Sequence, residues 1–240
     1  MTEGTGQRAM QLPLGLRLRD GATFAAFEPG TNGAALAWLH ARVASGADRG
    51  WLWGAQGSGR THLLEAVCHA AMERGQRAIC LSPELVADDP AAVLQDLDQC
   101  RVVALDDCGR LAGQRSVELA LFELCNGLAE RGGLLLLAAD AAPLSYAWGL
   151  ADLASRLAAA AVFRLQPLDD AGKVAALQRR ARLRGLELPG ATARFILSRA
   201  DRSPEALFGL LGELDLASLS AQRRLTIPFV RDLLLKRAAL

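Results

Sequence analysis

Apolar residues in the first two thirds of the chain follow two alternating patterns. Short apolar runs bounded by glycine or charged residues predict buried strands at 50–54, 77–82, 101–107, 133–139 and 161–167. The stretches around them have apolar residues at helical spacing, which predicts helices at 33–45, 61–75, 89–97, 116–132 and 150–160. In the first helix, Leu36, Leu39 and Val43 share one side. Such alternation predicts an α/β fold, with a mainly parallel sheet covered by helices on both faces.

The pattern changes after Pro167, where the strand-like runs stop. Four consecutive helical stretches follow, at 169–185, 191–200, 203–222 and 226–238. Ser203 offers a capping hydroxyl, and Pro204 takes a first helical position where its missing N–H costs nothing. We therefore expect three parts: a flexible polar tail (1–22), a three-layer α/β domain (23–167) and a small all-helical domain (168–240).

Composition and charge narrow the class of protein only slightly. Hydrophobic residues make up 51% of the chain, enough for a substantial core, and the formal net charge of +1 gives no overall field to attract nucleic acid or an anionic membrane. No basic-then-apolar leader opens the sequence, and the longest apolar runs are about half the length of a membrane helix. The five cysteines contain no C-x-x-C pair, which indicates reduced thiols. We expect a cytoplasmic protein with no membrane partner.

The segment GAQGSGRT (54–61) follows a predicted strand and opens a predicted helix, as a phosphate-binding loop requires. Its glycines let consecutive N–H groups converge on phosphate oxygens beside a helix N-terminus. Thr61 is placed to bind Mg²⁺. Arg60 replaces the usual lysine, and its planar fork should hold a diphosphate well but position a γ-phosphate less accurately. The alternative is a glycine-rich turn. The candidate nucleotide-binding residues here are Gly54, Gly57, Ser58, Gly59, Arg60, Thr61 and His62.

Acidic residues end two neighbouring predicted strands. Asp106 and Asp107 close an apolar strand, as in a Walker-B element, where the first carboxylate would hold the metal through water and the second would orient attacking water. Taken alone, paired acids at a strand end are more often a turn signal. Asp140 ends the next strand, where a γ-phosphate sensor would lie. A helix cap or turn is an equally good interpretation of Asp140.

Arg156 lies on a predicted helix otherwise made mainly of small apolar residues. One interpretation is a solvated exception. The other is an arginine finger, which would stabilise transition-state charge on the nucleotide of a neighbouring molecule. A finger implies a protein–protein boundary, and a homo-oligomer is one way to form it.

These motifs together resemble the AAA+ ATPases of the bacterial replication-initiator (DnaA) group. The strings LQRRARLRGLELP and AQRRLTIPFVRDLL resemble the lid of the Hda family within that group, in which arginine also replaces the loop lysine. TFAAFEPGTN (23–32) is similar to the group's entry segment, which implies that Phe27, Pro29 and Gly30 line an adenine pocket. The resemblance covers nearly the whole chain.

The resemblance to the Hda family implies a function. A member would hold ADP, with ATP as an alternative, together with Mg²⁺. It would dock on the DNA-loaded sliding clamp through QLPLGL, inserting Leu12, Leu14 and Leu16 while the Gln11 amide makes directional hydrogen bonds. It would then present Arg156 to the ATP of DnaA, whose hydrolysis leaves the initiator inactive. Arg60 indicates a nucleotide holder with weak or no intrinsic ATPase activity, while the paired Asp106 and Asp107 leave some activity of its own open.

The chain departs from the family pattern at one position of the lid. Family members carry a lid arginine that touches the bound phosphates, and Glu205 stands there in this sequence. Either Arg202 substitutes from the preceding turn, or the contact is missing and nucleotide affinity is reduced.

The basic clusters at 179–184 and 223–224 are either solvated helix faces or a salt-sensitive contact to the DNA backbone. Two alternative functions also stay open. One is an autonomous ATPase of the helicase-loader type. The other is a clamp-tethered adaptor whose nucleotide site has decayed.

Overall fold

The computed structural model describes residues 21–88, 93–95, 97–221 and 223–238. The predicted clamp-binding residues Gln11, Leu12, Leu14 and Leu16 lie outside this part of the chain. The strands are β1 (Asp48–Trp53), β2 (Ala78–Leu81), β3 (Val102–Leu105), β4 (Leu134–Ala139) and β5 (Ala161–Arg164). The helices are α1 (Gly33–Ser45), α2 (Arg60–Met72), α3 (Pro83–Asp88), α4 (Arg115–Glu130), α5 (Ala151–Ala158), α6 (Asp170–Leu183), α7 (Gly190–Arg199), α8 (Pro204–Ala221) and α9 (Ile227–Ala238).

The five strands form one sheet in the order β2-β3-β4-β1-β5, and every strand pair is parallel. In the register, Trp51 pairs with Leu137 of β4 on one side and with Val162 of β5 on the other. This confirms the predicted parallel α/β sheet. Because all strands run the same way, the segments that follow β1, β3 and β4 emerge at one edge, where open α/β sheets place their binding sites.

Helices cover both faces of the sheet. One core lies on the α4 and α5 side and includes Trp51, Leu105 and Leu121, while the other lies on the α1 and α2 side and includes Leu39 and Leu64. All six residues of β4 are buried, which explains why its sequence LLLLAA is continuously apolar and does not alternate.

Helices α6 to α9 enclose a third core that includes Leu177, Ile196, Leu210 and Val230. The helical C-terminal part is therefore confirmed. As predicted, α8 begins at Pro204, and the Ser203 hydroxyl accepts a hydrogen bond from the Ala206 N–H at 3.3 Å. In the described ranges, no helix combines the length and apolarity needed to cross a membrane.

The region between β2 and β3 differs most from the prediction. Helix α3 was not predicted, although Pro83 at its first position and Glu84 in its first turn are ordinary helix-start signals. Part of the predicted helix 89–97 lies outside the described residues, and Leu97–Gln99 forms a 3-10 helix. Strand β3 also ends at Leu105, because a carboxylate oxygen of Asp106 accepts the Asp107 N–H at 2.9 Å and turns the chain.

Candidate functional site

A cavity of about 1220 Å³ lies where the carboxyl ends of the strands face helices α6 and α8. Several predicted site residues line it: Phe27, Gly57, Ser58, Gly59, Arg60, Thr61, His62, Asp107 and Asp140. Others do not: Pro29, Gly30, Gly54, Asp106 and Arg156. The cavity therefore brings together most of the predicted nucleotide site but leaves the predicted finger outside.

The loop before α2 requires glycine at several positions. Gly57 and Gly59 have φ values of +78° and +94°, in the left-handed region that suits glycine. A Cβ at Gly59 would lie 2.8 Å from Cε2 of Phe27. A Cβ at Gly54 would lie 2.3 Å from the carbonyl oxygen of Leu165. The loop therefore curls tightly against the entry segment and the end of β5.

Thr61 and Asp106 meet at the base of this loop. The Thr61 hydroxyl donates a hydrogen bond of 2.5 Å to Oδ2 of Asp106, joining the first turn of α2 to the end of β3. A hydroxyl beside a carboxylate is an all-oxygen donor set of the kind Mg²⁺ prefers. The two residues therefore fit the predicted metal site.

Arg60 is held by the second acid of the pair. Its Nη2 lies 3.1 Å from Oδ1 of Asp107, and its side chain is only 13% exposed. Asp107 adopts a left-handed backbone conformation, with φ 39° and ψ 36°. Burial and then the charge of Asp106 raise the pKa of Asp107, while Arg60 opposes this rise. The cation of the loop is thus already paired with a carboxylate of its own chain.

Asp140 is engaged by Tyr146, the only tyrosine in the sequence. The phenol donates a hydrogen bond to Oδ1 of Asp140 and accepts the Ala141 N–H at 3.0 Å. This hydrogen bond is the main cause that lowers the pKa of Asp140. Burial, assisted by the bond to Asp140, raises the pKa of Tyr146 to about 12. The ring also packs on Gly109, where a Cβ would lie 2.4 Å from Cε1 of Tyr146.

An arginine from α6 reaches the same cavity. Nη2 of Arg180 lies 3.0 Å from Nδ1 of His62, and Nε2 of His62 lies 2.9 Å from the Thr23 carbonyl oxygen. Because arginine can only donate, these contacts require a neutral His62 with its proton on Nε2. The His62 ring stacks on Phe27, with centroids 5.6 Å apart. The Arg180 guanidinium carbon lies 3.7 Å from the centroid of the Phe208 ring.

Neither Arg180 nor Tyr146 was singled out by the sequence as a site residue. Arg180 appeared only as one member of a basic cluster, and its spacing in α6 gives no sign that it faces a nucleotide loop. Tyr146 follows Asp140 by six residues, and its uniqueness in the chain was the one available signal.

The lid side of the cavity contains the acid at the family's lid-arginine position and the arginine that is its predicted substitute. Glu205 and Arg202 line the cavity. Arg202 is 60% exposed and lies 3.3 Å from Asp170 in an exposed ion pair. Such pairs are weak and do not fix a side chain.

Internal contacts hold the entry segment to the chain after β5 and to helix α6 of the lid. Buried Asn32 exchanges two hydrogen bonds with the backbone of Gln166, at 2.8 and 2.9 Å, and Arg179 pairs with Glu28 at 3.0 Å. Arg184 lies 4.0 Å from Asp215. The basic cluster 179–184 is therefore largely committed to contacts within the chain.

Arg156 lies on α5 and does not line the cavity. Its guanidinium carbon sits 4.8 Å from the centroid of the Phe122 ring on α4, and the residue is half-buried. Within the described ranges, no carboxylate forms an ion pair with it.

Two family models match the chain and account for most of its length. Residues 18–163 match the bacterial DnaA ATPase domain, and residues 170–234 match the lid domain of Hda. The chain belongs to the DnaA-related AAA+ family, in its Hda branch. The two matches together support a DnaA-related regulator of replication.

Several solved structures share the fold. Domain III of Thermotoga maritima DnaA is 20% identical, with a TM-score of 0.71 over 89% of this chain and 95% of that one. AMPPCP-bound DnaA from Aquifex aeolicus is 22% identical, with a TM-score of 0.67 over 83% of this chain and 66% of that one. The Thermotoga maritima RuvB branch migration motor is 19% identical, with a TM-score of 0.58 over 88% and 72%.

Proposed function

We propose that this protein inactivates the replication initiator DnaA. It holds ADP in its own cavity, docks on the sliding clamp through QLPLGL, and presents Arg156 to the ATP bound by DnaA. Hydrolysis of that ATP leaves DnaA bound to ADP, which prevents a second initiation of chromosomal replication.

The position of Arg156 is the observation that carries this proposal. The residue lies outside the cavity that contains the chain's own phosphate loop, so it has no part in cutting a nucleotide held there. Its guanidinium lies on an aromatic face, with no ion pair to a described carboxylate. A guanidinium in this state is suited to stabilise the negative charge that develops on a γ-phosphoryl group of another molecule.

The state of the chain's own cavity supports the role of nucleotide holder. The loop N–H groups and Thr61 with Asp106 supply the contacts that a diphosphate and Mg²⁺ need, and the metal would neutralise phosphate charge there. Asp107 is turned toward Arg60, with 3.1 Å between Nη2 and Oδ1. A carboxylate used in this way is poorly placed to orient an attacking water. We therefore infer that ADP is the resident nucleotide and that intrinsic hydrolysis is slow.

We assign the lid contact to Arg180. The family position for a lid arginine holds Glu205, which would repel a polyphosphate. Arg180 lines the cavity and is oriented by the Phe208 ring at 3.7 Å and by His62 at 3.0 Å. Arg202 is more exposed and is bound to Asp170. A guanidinium fixed by two partners loses less conformational entropy when it binds phosphate.

Hydrolysis of ATP preloaded on DnaA, measured with purified clamp loaded on DNA, tests the proposal. The wild-type protein should accelerate hydrolysis, and the double variant Gln11→Ala/Leu12→Ala should not, while its ADP affinity stays unchanged. Rapid hydrolysis by the protein alone, without clamp or DnaA, would favour the helicase-loader type of ATPase. If neither ADP nor ATP binds, the decayed adaptor is the correct description.

A further inference from the structure

We propose that Glu118 and Phe122, one turn apart on α4, are positioning residues that together set the location of Arg156. This inference rests on the role proposed above for Arg156. It adds two residues on another helix that neither contact the nucleotide cavity nor belong to a phosphate-binding motif.

Glu118 is a buried carboxylate that serves three backbone donors. It is 1% exposed. Its Oε1 accepts the N–H of Gly113 at 2.8 Å and of Gly149 at 3.0 Å, and its Oε2 accepts the N–H of Leu150 at 2.7 Å. Within the described ranges, no cation forms an ion pair with it. A buried charge is tolerated only when several donors replace its hydration, so this carboxylate ties the two loops firmly.

One of those loops leads directly into the helix that carries Arg156. Leu150 is the N-cap residue of α5, and Gly149 precedes it. The bonds from Glu118 therefore fix the point at which α5 begins, and the negative charge lies at the favourable end of its dipole. Arg156 follows Leu150 by six residues, a rise of about 9 Å along the helix. A shift or tilt at the start of α5 is passed on to the guanidinium.

Phe122 provides the second point of attachment. It follows Glu118 by four residues, so the two side chains project from the same face of α4. Its ring supports the Arg156 guanidinium at 4.8 Å. Glu118 thus fixes the position at which α5 begins, and Phe122 fixes the orientation of the Arg156 side chain. Without both, Arg156 samples many rotamers and rarely reaches the phosphate of a partner.

Conservative variants of Glu118 and Phe122 test these two roles in the clamp-dependent assay of DnaA-bound ATP hydrolysis. Glu118→Gln keeps the size of the side chain but removes its charge, and Phe122→Leu removes the ring. Each should lower the maximal rate of hydrolysis of DnaA-bound ATP about tenfold, as expected for a misplaced catalytic group. The protein concentration that gives half of the maximal rate should not change. Phe122→Tyr should restore the rate, and Glu123→Gln, an exposed acid on the same helix, is the matched control.

A second measurement needs no DnaA. The Nε–Hε resonance of Arg156, assigned with Arg156→Lys, should carry a ring-current shift in the wild-type protein. That shift should vanish in Phe122→Leu and diminish in Glu118→Gln. If the wild-type protein shows this behaviour but does not stimulate DnaA, the proposed function fails while the positioning role stands.

Two outcomes would overturn the inference. The first is a resonance of Arg156 that is the same in the wild type and both variants. The second is a loss of rate in Glu118→Gln that is matched by equal losses of ADP affinity and thermal stability, since that would show a general structural role.

Discussion

Two arginines of this chain have the same chemistry but opposite surroundings. Arg60, in the phosphate loop, is 13% exposed and lies 3.1 Å from a carboxylate oxygen of Asp107. Arg156, on α5, rests on the ring of Phe122 at 4.8 Å. An ion pair occupies N–H groups of a guanidinium and cancels its charge. An aromatic face orients the group but leaves its N–H edges for another acceptor.

The two surroundings suit two different roles: the region of Arg60 is suited to hold a phosphate, and the region of Arg156 is suited to act on one. The Arg60 region combines a tight glycine loop, an internal ion pair and a lid, which together are suited to retain a ligand. In the Arg156 region, a guanidinium that rests on an aromatic ring lies on a short helix whose start is fixed by Glu118. Such an arrangement is suited to a site completed by a second molecule.

The largest expected effect is loss of stimulation in Arg156→Ala. Arginine fingers contribute about 10³-fold or more to phosphoryl transfer, so the stimulated rate of hydrolysis of DnaA-bound ATP should fall by about that factor. Binding of ADP to the variant should not change. Arg164→Ala is the matched control, because Arg164 also stacks on an aromatic ring, Trp53, at 5.0 Å. Full stimulation by Arg156→Ala would refute the finger assignment.

The next effect concerns the lid. Arg180→Gln should weaken ADP binding about tenfold, because a charge-assisted hydrogen bond to phosphate is lost. Binding of adenosine, which has no phosphate, should change much less. Titration calorimetry with both ligands checks this. Arg202→Gln is the control and should keep near wild-type affinity. If Arg202→Gln weakens ADP binding and Arg180→Gln does not, Arg202 is the lid residue that contacts the phosphates.

A smaller effect is expected at the ion pair of the loop. Asp107→Asn frees Arg60 and removes a negative charge from the cavity, so ATP should bind roughly fivefold more tightly, as expected for the loss of a partly screened charge. ADP should gain less. Equal affinities of wild type and variant for ATP would contradict the view that Asp107 occupies Arg60.

The difference in thermal stability between Asp107→Asn and the wild type should depend on pH. The pKa of Asp107 is raised in the folded protein, so folding disfavours its charged form. Asp107→Asn should therefore unfold at a higher temperature than wild type at neutral pH. The difference should shrink as the pH falls through the folded pKa of Asp107, because the wild-type carboxyl is then neutral. Thermal melts followed by circular dichroism across acidic pH measure this.

The smallest effect on activity is expected when the hydrogen bond between Tyr146 and Asp140 is altered. The pKa of Tyr146 is about 12 in the folded protein, above the ordinary tyrosine value of 10.0. Stability from the neutral phenol is present below pH 10.0 and is lost as the pH rises toward 12. Since this is the only tyrosine, phenolate absorbance reports it directly. Asp140→Asn should lower the midpoint while stimulation of DnaA stays close to wild type. A wild-type midpoint at the ordinary value would contradict the bond to Asp140.

The sequence could predict features that depend on local spacing. The parallel sheet and the helical lid follow from apolar periodicity, and the loop at 54–61 follows from its glycines and their place between a strand and a helix. These signals are carried by residues close together in the chain. The helix start at Pro204 was predicted for the same reason.

The features that were missed depend on contacts between distant residues. Arg180 meets His62 across 118 positions of the chain, and Glu118 meets Leu150 across 32. In the sequence, Glu118 is an ordinary acid on an amphipathic helix, and only the fold shows that it is buried. The pairing of Arg60 with Asp107 requires the left-handed turn after β3, and no local sequence pattern predicted that turn.

The central claim is that Arg156 acts on the nucleotide of another molecule, and labelling that nucleotide tests it most directly. ATP carrying a γ-phosphate label is loaded either onto DnaA, with unlabelled ADP on this protein, or onto this protein, with unlabelled ATP on DnaA. Both mixtures are assembled on clamp-loaded DNA, and release of labelled phosphate is followed through one turnover. We predict rapid release only from DnaA, and its loss in Arg156→Ala. Rapid release from this protein, or release from DnaA that does not depend on Arg156, would contradict the account.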